Sequence, residues 1–367
     1  MPSVPRLVGL LGALAASAGA AIIRSAKDTP IPPIYPIGVK NESFARAVGT
    51  LFEIDGKVQY FSGEFYPGLS LVGPKCASLT SPGCNAWWLG KLTKNEDVDT
   101  AMRHIADVSL AAESLRPPRA MLIQRQTKYK IIRVWGFGEV SEIPRGKKAG
   151  DPLDVWFQYL NKTGSYINYG DDGLQRLDYV VSTAEKLGLK LVLPFINNWS
   201  VGGGINLYTN VYGFRPGFYV SKKAQDVYRD WIRILVNRYK DSPAIFSWQL
   251  GNEPRCSGGD CDENVLWRWV NDTSHYIKSL DPHHMVSMGD EGWFAPESGY
   301  ADLHNQTTIA YMTNSDVNFV ANLNITAIDY GTFHLYTSTW GYEFDWGHLW
   351  IKQHVDAGRK VPVTSGT

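Results

Sequence analysis

The chain has 367 residues, with 36 basic and 36 acidic side chains and so no net charge. This length fits one large domain or two ordinary ones, and the balanced charge argues against a nucleic-acid partner, which needs a basic surface. Aromatic residues reach 13%, with 13 Trp and 19 Tyr, enough for a ring-rich core or for a cleft lined with flat stacking faces.

The N-terminus, MPSVPRLVGLLGALAASAGA, sets Arg6 before an apolar run from Leu7 to Ala16 and then the small residues Ala18, Gly19 and Ala20. That is the layout of a cleaved secretory signal over residues 1–20, too short to span a bilayer. A buried N-terminal helix is the alternative. No later stretch is apolar enough to enter a membrane. The expectation is a secreted, extracellular glycoprotein, because Asn-x-Ser/Thr sequons begin at Asn41, Asn161, Asn198, Asn271, Asn305 and Asn324. Some will stay empty, since sequons also arise by chance, and a glycan on Asn198 would crowd Trp199. Cys256 and Cys261 flank a Gly-rich loop and can close a small disulfide in an oxidising compartment. A metal site is the alternative, weakened by the lack of neighbouring histidines.

From Lys130 onward, short β-rich runs alternate with amphipathic stretches. The runs are KIIRVWGF (Lys130 to Phe137), LKLVLPFIN (Leu189 to Asn197), IFSWQL (Ile245 to Leu250), MVSMGDEG (Met285 to Gly292), ITAIDYGTFHLY (Ile325 to Tyr336) and KVPV (Lys360 to Val363). Helical periodicity covers Asp172 to Leu187, stopped by Gly188, and Ser221 to Tyr239, capped by Ser221. It recurs over Asp262 to Leu280 and over Tyr342 to Ala357, the last stopped by Gly358.

Strand, helix, strand in repetition predicts parallel strands with helical crossovers, in an open doubly wound sheet or a (β/α)8 barrel. No Gly-rich phosphate loop follows the first strand. Polar residues gather instead at the carboxyl ends of several strands: Arg133 with Trp135, Asn197, Asn252 with Glu253, Asp290 with Glu291, and His334 with Tyr336. In a barrel these ends converge on one face, so the barrel is the expected fold.

Two carboxyl groups flanking a glycosidic bond are the minimum for its hydrolysis, one protonating the leaving oxygen and the other attacking or activating water. Glu253, at the end of an apolar strand, suits the acid/base, with burial expected to raise its carboxyl toward neutrality. Asn252 can bond a sugar hydroxyl. Taken alone, Asn-Glu-Pro also reads as a strand-end turn capping a helix. His334 and Tyr336 share one face of their run and either support a carboxylate or pack. Arg133 in a barrel mouth needs a carboxylate partner. Trp135, Trp199, Trp293 and Trp340 follow strands and offer stacking faces, or belong to the core.

The motifs RVWGF, GLQRLDYVVSTAEKLGLKLVLPFINNWS, SPAIFSWQLGNEPRC, SLDPHHMVSMGDEG and DYGTFHLY resemble the fungal endo-β-1,4-mannanases of glycoside hydrolase family 5, from about Ile37 to Val363. The resemblance implies a retaining barrel domain over residues 37–367 that cuts internal β-1,4 bonds of mannan, galactomannan and glucomannan, as a monomer without a cofactor. It implies Glu253 as acid/base, Asn252 and Trp135 as sugar contacts, and Arg133, His334 and Tyr336 as the shell around the nucleophile; Trp199 joins them as a cleft residue.

The same resemblance implies a nucleophilic Glu just after the seventh strand, where this sequence reads GRKVPVTSGT. The expected barrel is therefore incomplete, with strand 7 cut short, strand 8 absent and the nucleophile missing. Two further stretches interrupt the family pattern, Glu64 to Cys84 and about 108–129, and are expected to be non-native inserts from retained introns. Genuine surface loops are the rival, and Cys76 and Cys84 fall in the first stretch. On this reading the chain folds poorly and lacks mannanase activity. A β-1,4-glucanase of the same family and a catalytically inactive mannan-binding protein remain as alternatives; a serine hydrolase is disfavoured by the absence of a Gly-x-Ser-x-Gly elbow.

Overall fold

The computed structural model describes residues 23–25, 44–59, 62–64, 86–107, 129–144, 155–213, 217–256, 261, 264–295, 298–300 and 316–361. The signal at 1–20, nearly all of both interrupting stretches, Cys76 with Cys84, and everything after Val361 lie outside these residues. In chain order the strands are β1 (Ile23–Ser25), β2 (Arg46–Val48), β3 (Leu51–Ile54), β4 (Lys57–Gln59), β5 (Ser62–Glu64), β6 (Tyr129–Arg133), β7 (Glu139–Val140), β8 (Gln158–Asn161), β9 (Gly164–Asn168), β10 (Lys190–Pro194), β11 (Ile245–Gln249) and β12 (Met285–Ser287). The helices are α1 (Asn95–Asp107), α2 (Leu174–Leu187), α3 (Gly204–Tyr212), α4 (Gly217–Val220), α5 (Lys222–Tyr239), α6 (Val265–Leu280), α7 (Phe319–Leu323) and α8 (Trp346–Lys360).

The central sheet runs β12-β11-β10-β6-β5, with every neighbouring pair parallel. Neighbours follow chain order without reversal. A doubly wound sheet reverses at a switch point, whereas a barrel does not. Strands β10 and β11 are buried at every position, as strands covered on both faces must be. Glu64 pairs with Ile132 and Tyr129 with Ser62, so these two margins of the interrupting stretches belong to the barrel sheet.

Helix α5 starts where Ser221 accepts a hydrogen bond from the Ala224 amide, the side-chain cap that the sequence predicts. Gly188 ends α2 at φ 63°, a left-handed conformation open to glycine without steric cost. Gly358 does not end α8, which continues to Lys360. The helix buries Trp346, Trp350, His354 and Ala357, and this packing outweighs one glycine's propensity cost of about 1 kcal/mol. The expected strand over Ile325–Tyr336 is also corrected. Residues 325–328 form a tight turn, and the rest is tied laterally by Asp329 N to Val286 O (2.9 Å) and His334 N to Glu291 O (3.1 Å), without a continuous ladder. Likewise β12 stops at Ser287, because Gly289 and Gly292 take φ values of 85° and 84°.

The antiparallel β2-β3-β4 sheet closes the amino end of the barrel strands. Phe52 meets Phe246 and Tyr330 edge-on at 5.2 and 5.4 Å, and Asp55 meets Lys190, the first residue of β10, at 3.3 Å. A second antiparallel-rich sheet, β1-β9-β8-β7, extends from the residues after β6. Trp293 and Trp340 pack with each other and with Trp350 at centroid distances of 4.6, 4.9 and 6.0 Å, and both are buried. They are core rings rather than stacking faces. Among the described residues, no helix is long and apolar enough to cross a membrane.

Candidate active site

The residues flagged at strand ends come together at the carboxyl end of the sheet. After β11 the chain passes through Leu250 and Gly251, and Asn252 forms an isolated bridge with Asn197, its amide donating to Ile196 O at 2.7 Å. Glu253 N then donates to Gly289 O at 2.8 Å. This bracing from both sides holds Glu253 at φ 54°, a left-handed conformation that a non-glycine residue keeps only when its surroundings impose it. The strained backbone turns the side chain inward, where the residue is only 9% exposed.

Both carboxylate oxygens of Glu253 are engaged. Oε1 accepts from His334 Nδ1 at 2.5 Å, and Oε2 accepts from Trp199 Nε1 at 2.5 Å. Arg133 donates from Nε to Gln249 Oε1 at 2.7 Å and from Nη1 to Asn252 Oδ1 at 2.8 Å; Asn252 Nδ2 in turn donates to Asn197 Oδ1 at 2.9 Å. Asn252 is thus oriented by two neighbours. Arg133 Nη2 is buried with no hydrogen-bond partner among the described residues.

Burial would raise the Glu253 carboxyl, but the bonds from His334 and Trp199 and the charge of Arg133 outweigh it and hold the group below its ordinary value. This reverses the sequence expectation, which counted burial and not the two N–H donors. Burial lowers His334, against the pull of Glu253, so the ring is neutral at pH 7 and its Nδ1–H faces the carboxylate. Tyr336 is raised by burial and by the Glu253 charge, and its ring meets His334 edge-on at 6.0 Å.

A second carboxylate lies nearby. Glu291, 2% exposed, is raised to about 7 by burial and by the charge on Glu253, against the opposing pull of Arg255. Arg255 Nε donates to Glu291 Oε2 at 2.5 Å, its Nη2 pairs with the same oxygen, and its guanidinium lies 5.7 Å from the Trp199 ring centre. Sequence reasoning assigned no role to Arg255, although its place two residues beyond Glu253 is a usable signal. Asp290, raised to about 7 by burial, accepts from the Gly292 amide at 3.3 Å. The Cys256–Cys261 disulfide forms next to Arg255, whose carbonyl accepts from Tyr219 Oη at 2.8 Å.

Trp199 is 38% exposed and presents an accessible ring. Trp135 is different. It is 5% exposed and packs against Trp87, Trp88 and Phe137 at 5.3, 4.9 and 4.7 Å.

A family model described as GH family 5 beta-mannosidase-like matches residues 206–318. Mannan endo-1,4-beta-mannosidase A of Podospora anserina is 40% identical over 316 residues, covering 86% of this chain and 70% of that protein. The chain belongs to this family. The Aspergillus aculeatus relative of the same name is 39% identical, covering 91% of this chain and 75% of the relative. The Hypocrea jecorina relative is 39% identical over 95% of this chain, which spans 65% of that protein's length. Among solved structures, the endo-1,4-beta-mannanase of Rhizomucor miehei superimposes with a TM-score of 0.66 at 28% identity, covering 87% of this chain and 79% of that one. The parallel sheet is thus part of a (β/α)8 barrel, with the site at its carboxyl face, where barrel active sites lie.

Proposed function

We propose that this protein is a secreted, endo-acting glycoside hydrolase of internal β-1,4-mannosidic bonds in mannan, galactomannan and glucomannan, working by a retaining mechanism with Glu253 as acid/base. The observation that carries this reading is the Glu253 carboxyl held between His334 and Trp199 at the end of β11. Relatives of about 40% identity that bear the mannan endo-1,4-beta-mannosidase name support the substrate class.

An acid must carry a proton, and in the free site two N–H donors oppose protonation. A bound sugar unit that excludes water and competes for these N–H donors strengthens the effect of burial and weakens what opposes it. That moves the carboxyl upward, toward the form that can protonate the leaving oxygen. Asn252, fixed by Arg133 and Asn197, offers its amide to a hydroxyl of the unit whose bond is broken.

The retaining route also needs an attacking carboxylate roughly 5 to 5.5 Å from the acid. Among the described residues, Glu291 is occupied by Arg255, Asp290 is engaged with the Gly292 amide, and Glu343 and Asp345 are exposed at the start of α8. None is placed to attack. The expected outcome is that a polypeptide of these 367 residues, tested by itself, binds mannan without releasing reducing ends. Isothermal titration with mannotriose alongside a reducing-end assay on galactomannan checks both halves. Release of reducing ends would overturn the missing-nucleophile reading. Stronger binding of cello-oligosaccharides than of mannotriose would favour a β-1,4-glucanase instead.

A further inference from the structure

Four of the six Asn-x-Ser/Thr sequons fall within the described residues, and the fold treats them differently. Asn198 is 2% exposed, so a molecule carrying a glycan there could not close this fold. Asn271 lies inside α6, where the Thr273 of its sequon is fully buried. Asn324 Nδ2 donates to Val320 O at 2.8 Å and helps to close α7. Asn161 is unlike these three.

Asn161 ends β8 at the tight turn into β9. Its Oδ1 accepts from the Thr163 amide at 2.9 Å, from Thr163 Oγ1 at 2.5 Å and from the Gly164 amide at 3.1 Å. These bonds turn the carbonyl side of the group into the loop and fix its rotation. Nδ2, the atom that would carry a glycan, makes no hydrogen bond among the described residues and is not buried. Two donors anchor the turn from beneath, Tyr212 Oη to Gly164 O at 2.8 Å and Lys223 Nζ to Thr163 O at 3.2 Å.

Burial alternates along β8, with Gln158 and Leu160 inside and Tyr159 and Asn161 on the outer face. Tyr159 pairs across the hairpin with Tyr166, their ring centres 6.0 Å apart, and both are half-buried. Two strand positions span about 7 Å, so a sugar joined to Asn161 reaches this ring pair. A pyranose presents a face of C–H bonds, which suits the electron-rich face of an aromatic ring.

We propose that Asn161 is an N-glycosylation site whose first N-acetylglucosamine packs on Tyr159 and Tyr166 and clamps the β8-β9 hairpin. The donor is a pyrophosphate-linked oligosaccharide. Nδ2 attacks its anomeric carbon, a C–N bond forms, the C–O bond breaks with its electron pair going to the pyrophosphate, and one Nδ2 proton passes to a base. The inference rests on the secreted reading and is independent of the sugar cut at Glu253.

The test expresses the full chain in a secretory eukaryotic host. Enzymatic release of N-glycans in oxygen-18 water turns each occupied Asn into a labelled Asp, read in tryptic peptides. Label at Asn161 in most molecules is expected. Label at other sequons with Asn161 bare would overturn the site. Absence of label from every sequon would mean that the chain does not enter the secretory path, so the secreted reading fails and takes this site with it. Urea midpoints before and after glycan release test the packing. Release should lower the midpoint more in wild type and in Tyr159→Phe than in Tyr159→Ala, a comparison that cancels the loss of any other glycan. Equal shifts in all three would overturn the contact between sugar and ring.

Discussion

At the residue scale, the balance on Glu253 separates what burial does from what hydrogen bonds do. The folded carboxyl sits below its ordinary value because His334 and Trp199 donate to it. A lowered carboxyl contributes stability that is present above its unfolded value, near 4.5, and is lost as pH falls through its folded value. His334→Ala removes one donor and leaves burial less opposed. The carboxyl is then expected to titrate above its ordinary value, reversing the sign of its contribution, so that the variant loses stability as pH rises. A carbon-13 titration of the Glu253 carboxyl, wild type against variant, reads the shift directly. A variant that titrates as low as wild type would show that Trp199 and Arg133 suffice. The chemical type of Glu253, Asn252, Arg133, His334 and Tyr336 was legible in the sequence as polar residues ending apolar runs. The direction of the Glu253 shift was not, because its donors lie 54 and 81 residues away in the chain.

At the element scale, local signals worked where the element carries its own terminator. Ser221 caps α5 and Gly188 closes α2 as their chemistry requires. Ser221→Ala should cost about 1 kcal/mol, read as a lowered urea midpoint with an unchanged slope; a shift within error would mean that tertiary packing fixes that terminus. Gly358 and the run Ile325–Tyr336 went the other way. In α8 four buried side chains outvote a glycine, and beside β12 an extended segment lacks the paired neighbours that make a strand. Short elements such as β7 and the β2-β3-β4 sheet carried too little periodicity to be read at all.

At the scale of the whole molecule, the barrel has its two ends assigned to different tasks. The amino end is sealed by Phe52, Phe246, Tyr330 and the Lys190–Asp55 pair, and the carboxyl end carries Glu253. Phe246, 2% exposed, fills the seal from β11. Phe246→Ala is expected to destabilise the fold by about 3–5 kcal/mol through the cavity it leaves. Mannotriose affinity below the unfolding transition should hold to within about twofold, because Phe246 packs its ring on Phe52 and Tyr330 rather than on Glu253 or its donors. Denaturant melts paired with titration calorimetry test both parts. A parallel loss of affinity would show that the amino-end seal sets the geometry at Glu253.

The sequence by itself determined the class of architecture and the kind of chemistry. Alternating periodicities demand parallel strands with crossovers, and polar residues at the ends of buried runs have no cheap place except a shared mouth. Tertiary structure alone decided which of those residues meet. It joined Glu253 to His334 and Trp199, tied Arg255 to Glu291, and drew Trp135, Trp293 and Trp340 into ring clusters. The reason is physical. A residue's type and its neighbours in sequence fix what it can do, but its charge state and its partners depend on groups brought close only when distant strands pack side by side.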